Sequence, residues 1–402
     1  MLDTIFLMRK DNTESNLTEN IDLNFDTAKY SIIHYIFRIK PASSVSIFKS
    51  IVIPYIITAL FTYGVLFLIA ILTQTPLTER SLDAKIPFLF DFNIAWMFLV
   101  SFPFIIVLIV TERRTIPLSI NQLFLEKVLS IETKTSQQFF SDWQARFGRR
   151  NLFGQLIGII AGMVAVIGNF SNVTQPGYGT VFITNNQLNI LGWWAGFCIF
   201  IFYFFTSLYM IRAISTAQFL KEMVNLESSK VTIIPFHPDK CGGLGSVGKI
   251  AIRHQYLLSV LGINIILLIW STQTLSPNPL LAYLIGGGII TYLAAGPIGF
   301  MGPLLPFRAS MAKEKSRLSR VISNRISIQI KKITDDETNA EISKKDEDQI
   351  IRLQRLAELI GQLPVWPFDA TTVKRFLASY LFPLLTLLLS LIYRIVEPHL
   401  FS

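Results

Sequence analysis

At 402 residues and a net charge of +9, the chain is 51% hydrophobic but only 16% Asp, Glu, Lys and Arg. A water-soluble globular protein carries about a quarter of its residues as charges, so this composition excludes an ordinary soluble domain and points to a surface that largely faces lipid. The basic excess fits loops held at an anionic membrane face rather than a nucleic-acid partner, and two cysteines exclude a disulfide framework.

Residues 1–12 lack a basic stretch followed by an apolar core and a small-residue cleavage site, so the first apolar run is expected to act as the insertion signal. Within a cytoplasmic segment 1–50, residues 29–38 place Tyr30, Ile33 and Phe37 on one face and predict an interfacial helix. Seven runs then reach the roughly 20 apolar residues that a helix needs to cross hydrocarbon. They cover residues 51–72, 92–110, 152–170, 190–211, 256–274, 280–300 and 373–395. The predicted fold is an all-α polytopic membrane bundle of seven transmembrane helices.

Lys and Arg number six before the first run, then two, seven, none, six and none in successive connections. The stretch between the sixth and seventh runs, with Lys374 and Arg375 at the head of the seventh, carries fourteen. Because basic residues are retained on the cytoplasmic side, this alternation places the N-terminus inside, the C-terminus outside and loops 111–151, 212–255 and 301–372 in the cytoplasm. A bacterial-type inner membrane is the expected location.

In the first of these loops Phe139, Trp143 and Phe147 repeat at i, i+4, i+8 beside Arg146, Arg149 and Arg150. That spacing predicts an amphipathic helix lying in the cytoplasmic interface and leading into the third run. The third run carries Gly154, Gly158 and Gly162, a doubled small-xxx-small pattern that lets another helix approach closely, either in this chain or in a neighbouring subunit. In the sixth run Gly286, Gly287 and Gly288 precede Ala294, Ala295, Gly296 and Pro297. Close helix packing ended by a proline is the favoured reading there, with a hinge or pore element as the alternative.

No Asp, Glu, Lys, Arg or His lies near the middle of any run. Pumps, proton-coupled transporters and voltage sensors place costly charges at that depth, so those classes are set aside. A passive pathway lined by hydroxyls, amides and carbonyls is compatible with it.

The loop at 212–255 holds His237-Pro238-Asp239 and a glycine-rich stretch that spells GxxxxGK from Gly243 to Lys249. A phosphate-binding P-loop would follow that lysine with Ser or Thr, where this chain has Ile250, and the short loop leaves no room for a nucleotide-binding sheet. His237, Asp239 and Cys241, with His254 further on, could ligate a metal, but their spacing matches no zinc pattern and no metal is expected. The stretch predicts a glycine-rich turn leading into a helix that starts near Ser246. Its backbone N–H groups at Gly242, Gly243 and Gly245, with His237, Asp239, Lys240, Lys249 and Arg253, form the candidate site for an anionic ligand.

The last loop predicts a helix from Arg308 through Met311, Leu318 and Ile322 that turns strand-like at Ile326, Ile328 and Ile330. After a charged stretch at 334–348, Ile350, Leu353, Ala357 and Ile360 share one face of a second amphipathic helix stopped by Gly361 and Pro364. Asp369 is placed to cap the seventh helix. No catalytic constellation or cofactor motif emerges, so the expectation is a non-enzyme. The leading reading is a homo-oligomeric channel or passive pathway gated from the cytoplasm; the alternative is a membrane-embedded sensor or scaffold that binds a cytoplasmic protein or anionic ligand.

Overall fold

A computed structural model describes residues 47–78, 86–170, 181–184, 187–234, 237–239, 241–273, 279–335 and 344–400. The interfacial helix expected at 29–38 and the side chain of Lys240 lie outside the described residues. The first run forms α1 (Ile47–Ala59) and α2 (Val65–Leu72), joined by a π-helical turn at Leu60–Gly64. The second forms α3 (Phe92–Trp96) and α4 (Phe102–Leu125), joined by a π-helical turn at Met97–Ser101. Runs three to six lie in α5 (Thr133–Phe170), α6 (Ile190–Val224), α7 (Gly245–Gln273) and α8 (Pro279–Met301). The last loop is α9 (Leu305–Asp335) and α10 (Lys344–Gly361), and the seventh run lies in α11 (Ala370–Leu400).

Among the described residues five helices are long and apolar enough to cross a membrane, or six if α8 and α9, bent by 41° at their junction, count as one. Their outward faces fit that solvent: Leu152, Phe153, Leu156, Ile160, Met163 and Ile167 on α5 are all more than half exposed. A contiguous apolar surface of that length is not tolerated by a protein bathed in water.

Small residues bring α5 and α6 together. A Cβ at Gly158 would sit 2.8 Å from the Phe204 carbonyl oxygen, and one at Gly162 would sit 2.8 Å from that of Phe200. The close neighbour of the small-xxx-small stripe is therefore α6 of the same chain. The glycine triplet behaves differently: α8 runs through it unbroken, and no described atom lies within 4 Å of a Cβ built at Gly286 or Gly287. Close packing in α8 instead involves Gly296, where an added Cβ would collide with the Tyr380 ring of α11.

The helices outrun the bilayer. The 38 residues of α5 and the 35 of α6 extend about 57 and 52 Å at 1.5 Å per residue, against a hydrocarbon core of roughly 30 Å. Their excess stands at one end and builds a second core there. It gathers Leu123, Trp143, Phe219, Leu244, Phe307 and Met311, distinct from the core around Leu66, Phe98, Ile105, Phe202 and Tyr209. Two short antiparallel ladders close the connections: of β1 (Leu129–Ser130), β2 (Ile183–Thr184), β3 (Gln187–Leu188) and β4 (Lys230–Val231), β1 pairs with β4 and β2 with β3. The β1–β4 ladder ties together the connections 126–132 and 225–234, which belong to the Lys- and Arg-rich loops 111–151 and 212–255, so these share one end of the bundle, called here the basic end.

Two expectations change. Phe139, Trp143 and Phe147 are 7%, 0% and 6% exposed and pack into the second core, with Phe139 and Trp143 against Phe219, so the stripe is helical but covered by protein instead of lying in an interface. Ile326, Ile328 and Ile330 lie in the uninterrupted helix α9, with Ile328 and Ile330 facing outward. Leu318, Ile322 and Ile326 continue a helical stripe, which overrides the apparent two-residue period. Asp369 does cap α11, its Oδ1 accepting from the Thr372 N–H at 2.9 Å.

Candidate functional site

The glycine-rich turn is held by its own carboxylate. Asp239 Oδ1 accepts from the N–H groups of Cys241 at 2.8 Å and Gly243 at 3.1 Å, while Oδ2 accepts from that of Gly245 at 2.8 Å, at the first residue of α7. Burial alone would raise this carboxyl's pKa, but the three N–H donors and His237 outweigh it and hold it below the ordinary range. Gly242 and Gly243 have φ of 68° and 89°, and a Cβ on either would run into Ile233 or Val128. The turn therefore needs glycine twice for conformation and for space.

Around it, His237 Nδ1 lies 2.7 Å from Asp239 Oδ1 and its Nε2 lies 3.7 Å from Glu126 Oε2. Cys241 is 2% exposed, and burial, with the charges of Asp239 and Asp369, pushes its thiol up to about 12. Among the described residues no group of three His, Cys, Asp or Glu is placed to hold a metal ion. Lys249 points outward, whereas Arg253, one helical turn on, reaches into the bundle. The structure therefore brings His237, Asp239, Gly242, Gly243 and Gly245 together but separates Arg253 from them.

Arg253 belongs to a second polar assembly. Its Nη2 donates to the Leu108 carbonyl and to Thr111 Oγ1, the latter at 2.6 Å. One residue on, Glu112 Oε2 accepts from Arg212 Nε at 2.7 Å, with the two side chains 0% and 1% exposed. Arg212 also stacks on the Phe147 ring, its Cζ 5.5 Å from the centroid. Beside them the Tyr209 hydroxyl lies 3.3 Å from His254 Nδ1. In the π-helical turn that precedes α4, Ser101 Oγ accepts from Asn264 Nδ2 at 2.9 Å. Beyond that, the Thr62 hydroxyl lies 3.0 Å from the Phe98 carbonyl, where the two π-helical turns meet.

These groups form a polar seam between α4, α6 and α7. From Ser101 to Glu112 it runs eleven residues, about 17 Å of helix. Several of its buried atoms have no hydrogen-bond partner among the described residues: Glu112 Oε1, His254 Nε2, Asn264 Oδ1, and both the oxygen and the nitrogen of the Gln255 amide, itself 0% exposed. A buried polar atom left unpaired costs roughly 1–3 kcal/mol, so their concentration along one line needs a reason.

The middles of the apolar runs stay free of Asp, Glu, Lys, Arg and His, as expected from the sequence, but the seam buries ionisable groups at the run edges that were expected in the loops. Glu112, Arg212, Arg253 and His254 each fall one to three residues beyond an apolar run, where a count of loop charges assigns them to water. Yet all four lie inside the membrane-crossing candidates Phe92–Glu112, Ile190–Val224 and Gly245–Trp270. The readable signal was an ionisable group at the same edge of three different runs. Comparison with protein-family models, curated proteins and solved structures finds no match to this chain.

Proposed function

We propose that this chain is a seven-span protein of the cytoplasmic membrane, N-terminus and basic end inside, that conducts a small polar or ionic solute along the seam between α4, α6 and α7. In this reading the Glu112–Arg212 pair closes the pathway at the cytoplasmic end. The observation that carries it is the line of buried hydroxyl, amide and carbonyl groups whose hydrogen-bonding capacity the protein leaves partly unused. Ionisable groups at membrane depth are costly and serve function where they persist, and passive pathways are lined by such polar groups.

The deciding measurement is flux into liposomes holding the purified protein. Replacing both gate residues, Glu112→Gln with Arg212→Gln, is expected to make vesicles leaky to ions that the wild type passes slowly or only under a stimulus. Vesicles that stay tight for both proteins across ions, voltages and pH overturn the reading. A platform for a cytoplasmic protein is the second reading. It is favoured by the α9–α10 hairpin, which exposes Val321, Ile328, Ile330, Ile351 and Leu356 between 41% and 68%. A platform leaves vesicles tight, so the same flux assay separates the two.

A further inference from the structure

A lateral groove of about 1010 Å³ opens between α6 and the bent α8–α9 pair, with α7 as its floor. Its width comes from small residues: Ala213 and Ala217 on one wall face Ala294, Ala295, Gly299 and Gly302 on the other. Both walls change character in the same direction. Along α6 the lining passes from Met210 and Ile214 to Gln218, Lys221 and Asn225; along α8 and α9 it passes from Ile290 and Ile298 to Ser310 and Lys313. The apolar half is open sideways, with Ile214, Ile290 and Ile298 exposed by 49%, 69% and 67%.

The charges at the polar end are one-sided. Lys221 and Lys313 line it, no Asp or Glu does, and neither ammonium has an ion-pair partner among the described residues. The nearest acids on the same helices are engaged elsewhere, Glu222 with Arg146 and Glu314 with Arg317. In the floor, His254 is 3% exposed and its Nε2 has no hydrogen-bond partner among the described residues.

We propose that this groove binds an anionic phospholipid of the cytoplasmic leaflet. The phosphate sits between Lys221 and Lys313, with Gln218, Asn225 and Ser310 as neutral hydrogen-bond partners, and an acyl chain lies along Ile214, Ile290, Ala294 and Ile298. Basic pockets between spans at the cytoplasmic side hold anionic head groups in this way. A second copy of the chain docking here would have to bring apolar bulk and acid together at the same spacing, whereas one amphiphile supplies both. The proposal rests on the helices crossing a membrane with the basic end inside, and not on the conducting seam. Lipid binding with tight vesicles would therefore leave this site standing and remove only the pathway.

The test uses the full chain in neutral detergent and phosphatidylglycerol with a fluorescent tail, displaced by unlabelled phosphatidylglycerol, phosphatidylcholine or inorganic phosphate. Phosphatidylglycerol is expected to compete at least tenfold better than phosphatidylcholine, and inorganic phosphate is expected not to compete, which separates a lipid head group from a free anion. A lysine near an anionic surface is worth roughly fivefold in affinity, so Lys221→Gln with Lys313→Gln is expected to weaken binding about 10- to 30-fold. Both lysines are exposed, so this variant keeps the fold, as its gel-filtration profile will show. Ala294→Trp, which fills the apolar half, is expected to block both lipids. Equal binding of the two lipids, or wild-type affinity in the double glutamine variant, overturns the proposal. Lipid-independent crosslinking of Ile290→Cys between copies does so as well, because a second copy would then be the occupant.

Discussion

Removing one member of the Glu112–Arg212 pair is the sharpest single perturbation of this fold. Both side chains are essentially inaccessible and their contact is 2.7 Å, so Glu112→Gln leaves a guanidinium charge in a low-dielectric interior without its counter-charge. Breaking a buried pair in this way costs about 3–5 kcal/mol. Against a typical unfolding free energy of about 5–15 kcal/mol that is about a fifth or more of the total, or two to four decades in the folded-to-unfolded ratio. Removing both charges together, Glu112→Leu with Arg212→Met, is expected to restore most of the loss, because an apolar pair of similar volume avoids desolvating two ions. The assay is reversible unfolding in mixed micelles under increasing SDS, read by tryptophan fluorescence, for the wild type, Glu112→Gln, and the cycle of Glu112→Leu, Arg212→Met and their double. A coupling energy of about 3 kcal/mol is expected from the cycle. A single substitution costing under about 1 kcal/mol, or a double equal to the sum of the singles, refutes the account of the pair as a mutually dependent buried contact.

Glycines in this chain divide by what faces them. Gly158→Ala and Gly162→Ala push a methyl into a carbonyl oxygen of α6 and are expected to destabilise by about 1–3 kcal/mol, while Gly286→Ala is expected to be neutral or stabilising by up to about 1 kcal/mol; the same unfolding assay checks both. Asp239→Asn tests the turn through pH. The wild-type carboxyl has a folded pKa below its unfolded value of about 3.9, so its contribution is complete above that value and is lost as pH falls through the lower folded one. The melting temperature of the wild type is expected to drop below about pH 4 more steeply than that of Asp239→Asn, and parallel curves from pH 6 to 3 would contradict the capping role. Cys241, with its thiol near 12 and 2% exposure, has about one thiol in ten thousand ionised at pH 8, so maleimide labelling of the folded protein is expected to await unfolding.

Much of the helical content was legible because hydrocarbon imposes one local rule, about 20 apolar residues without a charged interruption, and each run met it alone. What the sequence did not show is what the helical extensions beyond the runs pack against. In α5 and α6 the helices extend well past the apolar runs, and a residue counted with the loop, Arg212, is among the most buried side chains described. Periodicity showed that Trp143 lies on an apolar face but not what covers it, since the covering residue Phe219 comes from a helix some 76 positions on. The seam was unreadable for the same reason: its contacts join Glu112 to Arg212, Leu108 to Arg253 and Ser101 to Asn264, across separations of 100, 145 and 163 residues. The glycine-rich turn was legible as a local motif, and its unforeseen part, the use of Asp239 as the acceptor for its own backbone, is a contact over six residues or fewer.

The second core imposes an order on biogenesis. Its parts come from stretches of α4, α5, α6, α7 and α9 that are separated along the chain by apolar runs, so no contiguous segment contains it. It can assemble only after the intervening helices have been threaded and neighbours have met, which makes its completion a report on successful insertion. A chain with one mis-inserted helix would present Trp143, Phe219 and Phe307 to water, the kind of surface that chaperones and proteases recognise.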